Sequence, residues 1–132
     1  MLYLLDTNTL SDFIRNPHGK AALRASKEDA GSLCTSIIVA AEMWFGAAKR
    51  ASTTLPPKLG ALFGWIRVLP FEQPAEHSYA ECRANLERRG LPIGNNDMLI
   101  AAHALALDAT LVTANEREFS RIEGLKIENW LL

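Results

Sequence analysis

Two cysteines are all that the 132 residues contain, and Cys34 and Cys82 have neither the density of a disulfide scaffold nor a metal-ligand spacing around them. They read as reduced, packed thiols, which fits a reducing cytoplasm. No apolar run approaches the roughly 20 residues that a bilayer-spanning helix needs. The start Met1-Leu2-Tyr3-Leu4-Leu5-Asp6 has no basic stretch and no cleavage site, so the expectation is a soluble cytoplasmic protein with no membrane partner. A surplus of one charge is also missing, since 14 Lys and Arg stand against 15 Asp and Glu. That balance gives no general attraction for nucleic acid, and a polyanion would have to be held by a local patch. Internal repeats, low-complexity tracts and linkers are absent, and 48% apolar residues suffice for a core. One domain spanning residues 1–132 is the expectation.

What is present is an alternation of short apolar runs and helical stretches. Leu2 to Leu5 predicts a first strand, and Thr7 to Thr9 opens a helix that ends at Asn16-Pro17. A short helix is expected over Gly19 to Asp29, and a second strand at Leu33-Cys34-Thr35. Ser36 is a good cap for a helix from Ile37 to about Arg50. Thr53-Thr54-Leu55-Pro56-Pro57 reads as a loop, Lys58 to Gly64 as helical, and Ile66 to Leu69 as a third strand closed by Pro70. Pro74 suits the first turn of a helix through Arg89, with Gly90 as its stop. A further helix is expected from Asn96 to Leu107, capped by Asn95 or Asn96, then a strand over Thr110 to Thr113, a polar stretch Asn115 to Arg117, and an edge strand at Lys126 to Asn129. Strands alternating with helices predict a three-layer α/β domain: a mostly parallel central sheet with helices on both faces.

Acids fall where such a chain ends its strands and begins its helices. Asp6 directly follows the first strand, Glu42 interrupts the apolar segment that begins Ile37-Ile38-Val39-Ala40-Ala41, Asp97 is in the first turn of its helix, and Glu116 and Glu118 follow the fourth strand. Carboxylates crowded on one rim repel one another unless a cation joins them, so the cluster reads as a hard-metal site. Oxygen donors with no paired His or Cys favour Mg²⁺ or Mn²⁺. A phosphodiester is the natural substrate of such a site, by metal-assisted hydrolysis. Each acid also has a plainer use: Asp6 as a helix cap, Asp97 as a complement to a helix dipole, Glu116 and Glu118 as solvated charge. Glu42 is the hardest to explain away, because an acid among apolar neighbours is costly without a partner.

Leu5-Asp6-Thr7-Asn8, Ser36-Ile37 leading to Glu42 and Gly46, Gly94-Asn95-Asn96-Asp97 running into Ile100-Ala101-Ala102-His103-Ala104, and Leu111-Val112-Thr113-Ala114-Asn115 followed by Glu118-Phe119 together resemble a PIN-domain ribonuclease. Within that superfamily the chain is similar to VapC-type toxins of type II toxin–antitoxin systems, over nearly its whole length. The resemblance implies a metal-dependent endoribonuclease with Mg²⁺ or Mn²⁺ held by Asp6, Glu42 and Asp97, and a catalytic set of Asp6, Glu42, Asp97 and Glu118. Thr7, Thr113 and Asn115 match positions that support the acids in the family. It further implies an RNA substrate, with tRNA and the anticodon loop of initiator tRNA favoured, a cognate VapB-type antitoxin, and a homodimer.

Among the cations, Arg15, Lys49, Arg50, Arg88 and Arg89 stand at helix ends from which they could rim the crevice and hold phosphates. His103, on an Ala- and Leu-rich helix, reads as a structural histidine. Trp44, Phe45, Phe63 and Trp65 read first as core, with a second use in the homodimer and antitoxin groove that the resemblance implies. A competing class is a non-catalytic α/β regulatory or interaction module that binds a divalent metal. A phosphate-accepting regulatory domain would want a Lys after a late strand, and Leu111 to Asn115 supplies none.

Overall fold

The computed structural model describes residues 1–132. In chain order it contains β1 (Tyr3–Leu5), α1 (Thr7–Arg15), α2 (Lys20–Ser26), β2 (Leu33–Ser36), α3 (Ile37–Lys49), α4 (Leu55–Trp65), β3 (Arg67–Leu69), α5 (Ala75–Arg88), α6 (Asn95–Ala106), β4 (Thr110–Val112), α7 (Glu116–Phe119) and β5 (Lys126–Glu128). The sheet order is β3-β2-β1-β4-β5, and every neighbouring pair is parallel. The chain steps outward from β1 to β3, then returns to β4 on the other side of β1. With right-handed crossovers, that reversal sets α1 to α4 on one face and α5 to α7 on the other. It also makes the β1/β4 boundary the topological switch point, where the carboxyl ends of strands open a crevice.

Burial follows from position in the sheet. β1, β2 and β4 are buried throughout, whereas the edge strands β3 and β5 are partly exposed. A strand covered on both faces must be apolar on both, which is why Leu4, Leu5, Leu33, Cys34, Leu111 and Val112 read as runs without alternation. They belong to one core of 26 buried residues. The polar groups that these strands do bury are paired. Thr35 donates to the Leu5 carbonyl at 2.7 Å and clamps β2 to the end of β1. Thr9 on α1 donates to the Val112 carbonyl at 3.2 Å and fastens that helix to β4. No helix is long and apolar enough to cross a membrane, and both cysteines are free thiols.

Several expectations need correction. Leu55-Pro56-Pro57 is the first turn of α4 and not a loop, because proline lacks only an N–H that a first turn leaves unpaired. Ser52 accepts from the Leu55 N–H at 3.1 Å and closes that end. The cap of α6 is Gly94, with no side-chain cap from Asn95 or Asn96, which lie inside the helix. Glu116 to Phe119 forms the short helix α7 where a polar stretch was expected. Trp44, Phe45 and Trp65 are substantially exposed. On α3 this follows from a helix apolar on both sides: Val39, Ala40, Met43 and Ala47 face the core, while Ile37, Trp44 and Phe45 face outward. Phe63 is partly buried and lies against Trp44 at 6.2 Å between ring centroids.

Candidate active site

Four elements bring their acids to the switch point. Asp6 leaves β1 in extended conformation and caps α1, its Oδ1 accepting from the Thr9 N–H at 2.9 Å. The helix-cap reading of Asp6 and the site reading therefore both hold, since the cap is what fixes the carboxylate at the rim. Glu42 rises from the second turn of α3, Asp97 from the first turn of α6. Asp6, Thr7, Asn8, Glu42, Asp97 and Asn115 line one crevice of about 170 Å³, with Phe119 as its apolar edge. A far larger cleft, about 720 Å³, lies along α5 and contains none of these three acids.

Asp6, Glu42 and Glu118 are oriented by uncharged donors. The Thr7 hydroxyl donates to Glu42 Oε1 at 2.6 Å, and Asn96 Nδ2 to Oε2 at 3.2 Å. Asn115 Nδ2 donates to Glu118 Oε2 at 3.1 Å, while the Thr113 hydroxyl accepts from the Asn115 N–H at 2.9 Å. None of the molecule's ion pairs involves Asp6, Glu42, Asp97 or Glu118. Uncompensated charge shows in the protonation of the group. Burial, followed by the charges of Glu42, Glu118 and Asp6, pushes the Asp97 carboxyl up to about 6 from 3.8. Burial also raises Asp6, against hydrogen bonds from Thr113 and Thr9 that pull it down.

The structure separates the two candidate fourth acids. Glu118 is held on the crevice side by Asn115 and its charge reaches Asp97. Glu116 is exposed and accepts from Asn129 Nδ2 at 3.2 Å instead. As the side chains stand, no three acids converge tightly enough to clasp an ion together, since Glu42 and Glu118 are each turned onto neutral partners. Sequence reasoning gave no role in the site to Asn96, Asn8 or Thr9. The first two stood beside recognised acids in the motifs, which was the signal available for them, whereas the Thr9 contacts depend on the β1/β4 pairing.

Of the cations, Arg15 and Arg50 line a cleft of about 250 Å³ that shares Thr7 and Glu42 with the acid crevice. The other three are not brought there. Lys49 extends over the Phe45 ring at 6.0 Å, Arg88 lines the cleft along α5, and Arg89 donates to Asn85 Oδ1 at 3.0 Å and to the Arg121 carbonyl at 2.8 Å. His103 is buried on α6, with Nδ1 at 2.8 Å from the Ser36 hydroxyl and its ring edge-on to Phe71. That is the structural role expected of it.

A five-stranded parallel sheet with an acid crevice at its switch point defines a class. The PIN domain profile matches residues 3–125, and the chain belongs to the PIN-domain family, in its VapC branch. It is 38% identical to ribonuclease VapC2 of Rickettsia felis over 98% of both chains. It is 35% identical to the tRNA(fMet)-specific endonuclease VapC of Salmonella typhimurium over 97% of both. Among solved structures, VapBC-1 from nontypeable Haemophilus influenzae superposes with a TM-score of 0.89 at 34% identity, covering 100% of each chain. VapBC2 from Rickettsia felis, solved bound to a DNA fragment from its promoter, gives 0.88 at 38% identity, covering 98% of this chain and 99% of that one.

Proposed function

We propose that this protein is a divalent-metal-dependent endoribonuclease that acts as a toxin and is neutralised by a cognate VapB-type antitoxin. One observation carries the reading: Asp6, Glu42 and Asp97 line one crevice at the switch point, the charge of Glu118 reaches Asp97, and none of the four is in an ion pair. The relatives' names support the substrate class, RNA, and within it tRNA, with initiator tRNA indicated by the tRNA(fMet)-specific enzymes. Solved relatives in VapBC complexes support the antitoxin.

The donor set fits a hard cation. It is all oxygen, it lacks His and Cys, and the Asp97 carboxyl is raised by burial and then by the charges of Glu42, Glu118 and Asp6, with no cation among the causes to offset them. Asp6, Glu42 and Asp97 would hold Mg²⁺ or Mn²⁺, with Glu118 supporting it. When bound, the ion supplies charge neutralisation at the phosphodiester and makes water a competent nucleophile near neutral pH. The chain's own part is positional. Thr7 and Asn96 fix the direction of Glu42, which can orient the attacking water and accept its proton, and Asn115, itself fixed by Thr113, holds Glu118 where its charge reaches Asp97. The exposed Trp44 and Phe45 on the outward face of α3 support self-association through that face, so Phe45→Glu should lower the mass measured by light scattering. Two free thiols suit a cytoplasmic setting.

The deciding experiment is RNA cleavage by purified protein with added Mg²⁺ or Mn²⁺, alongside chelator and Asp6→Ala. Cleavage by wild type alone, and growth arrest on expression that co-expressed antitoxin relieves, is the expected result. Cleavage by folded Asp6→Ala, or in chelator, overturns it.

A further inference from the structure

A crevice lined by three carboxylates, with the charge of a fourth reaching it, repels the polyanion it is to cut, and a net charge of −1 offers no compensating field. Substrate must be gripped by cations placed beside the acids. We propose that two concavities running down α1 from the acid crevice form a phosphate track for single-stranded RNA, with Arg50 and Arg15 on the inner part and Lys20 at the outer end. This rests on the ribonuclease reading above and adds to it the residues that hold the strand.

Continuity is the first argument. The inner cleft shares Thr7 and Glu42 with the acid crevice and is lined by Ser11, Arg15 and Arg50. Arg15 also lines the next concavity, about 500 Å³, at the corner between α1 and α2, together with His18 and Lys20. From Thr7 to Arg15 the helix rises about 12 Å, at about 1.5 Å per residue, enough for a few nucleotides of extended strand.

Availability is the second. The ion pairs of the molecule engage Arg24, Arg83 and Lys126, and leave Arg15, Arg50 and Lys20 without a carboxylate. Their exposed guanidinium and ammonium groups are free to take phosphate oxygens. The acids within the same concavities are already engaged, Asp12 by Asn16 Nδ2 at 2.8 Å and Glu42 by Thr7 and Asn96.

The linings favour RNA over an acidic peptide. The inner cleft has an apolar floor including Met43, Leu55 and Leu59, on which a base can lie while Arg15 and Arg50 meet its phosphates. The outer concavity has a single hydrophobic residue, Leu131, and offers a peptide no anchor.

The test titrates full-length protein with a short labelled single-stranded RNA in chelator, across a range of salt. Removing two phosphate contacts in Arg15→Gln/Arg50→Gln should shrink the slope of log affinity against log salt by about 1.4, at about 0.7 per contact. Affinity at low salt should fall about tenfold or more, and KM for cleavage with Mg²⁺ or Mn²⁺ should rise with kcat unchanged. Arg15→Lys/Arg50→Lys should keep the slope, and Arg88→Gln/Arg89→Gln should change neither quantity. A double Gln variant that cleaves with unaltered slope and KM overturns the track while leaving the ribonuclease reading intact. Weakened antitoxin binding with RNA affinity unchanged assigns the clefts to the protein partner and overturns it also. Wild type that neither binds nor cuts RNA overturns both.

Discussion

At the scale of single residues, the acids are held by their neighbours and not by opposite charges, and Asp97 bears the consequence. Its carboxyl keeps a proton up to about pH 6 in the folded chain, against 3.8 as its ordinary value. Between those limits the native state binds more protons than the unfolded one, so this contribution to stability is complete below about pH 3.8 and lost as pH rises through about 6. With the side chain partly exposed, solvent screening limits the loss to about 1 kcal/mol. Asp97→Asn should therefore abolish cleavage and, without metal, melt a few degrees higher than wild type near neutral pH with a flatter dependence on pH; a variant less stable than wild type there would refute the repulsion. Glu118 and Glu116 make a sharper pair. Glu118→Gln should raise the metal concentration for half-maximal cleavage, whereas Glu116→Gln, whose partner is Asn129, should leave it unchanged. A metal activation curve identical to wild type for Glu118→Gln returns that acid to the surface. The motifs made three of the acids legible and favoured Glu118 as the fourth, but they could not set Glu116 aside, because two residues on a polar stretch point apart only once that stretch becomes a helical turn.

At the scale of elements, the strands are short and their ends do the positioning. β2 stops at Ser36 because that residue turns from strand to helix cap, accepting from the Ile38 N–H at 3.0 Å. The same hydroxyl meets His103 Nδ1 on α6 at 2.8 Å, so one buried oxygen ties together the two helices that carry Glu42 and Asp97. Ser36→Ala removes a cap and leaves a buried imidazole nitrogen unpaired, which should cost about 2 kcal/mol in all. Thermal melting should fall by several degrees, and RNA cleavage should drop even where the protein remains folded, because the two acids lose their common anchor. A melt within a degree of wild type would show that the link is not structural. The cap was legible from Ser36 before an apolar run. Its second partner was not, since the contact joins residues 67 positions apart and no local pattern records it. At α4 the illegible contact is local instead: the paired prolines look like a loop until Ser52, three residues before Leu55, closes the helix start.

At the scale of the whole molecule, the reversal of strand order between β1 and β4 is what gathers acids from both ends of the chain. Alternating strand and helix signals made the parallel sheet legible; the order β3-β2-β1-β4-β5 was not read from them, since local patterns do not say which strands become neighbours. The cationic rim was the least legible part, because helix ends offer many exposed Arg and Lys and only the packed fold shows that Arg15 and Arg50 stand beside the crevice while Arg88 and Arg89 do not. One global consequence follows from gathering acids without cations. The folded chain presents a cluster that the unfolded chain scatters, so a divalent ion bound there stabilises only the native state, by about 2.7 kcal/mol when its concentration is a hundredfold above Kd. Metal-free protein should then melt several degrees higher when Mg²⁺ or Mn²⁺ is added. The gain should be larger at about pH 7.5 than at about pH 5, because protons compete for Asp97 below about 6. Asp97→Asn should lose most of the gain, while Arg88→Gln, on the cleft along α5, should keep it. A gain of equal size in Asp97→Asn would place the ion elsewhere on the molecule and remove the metal from the proposed reaction.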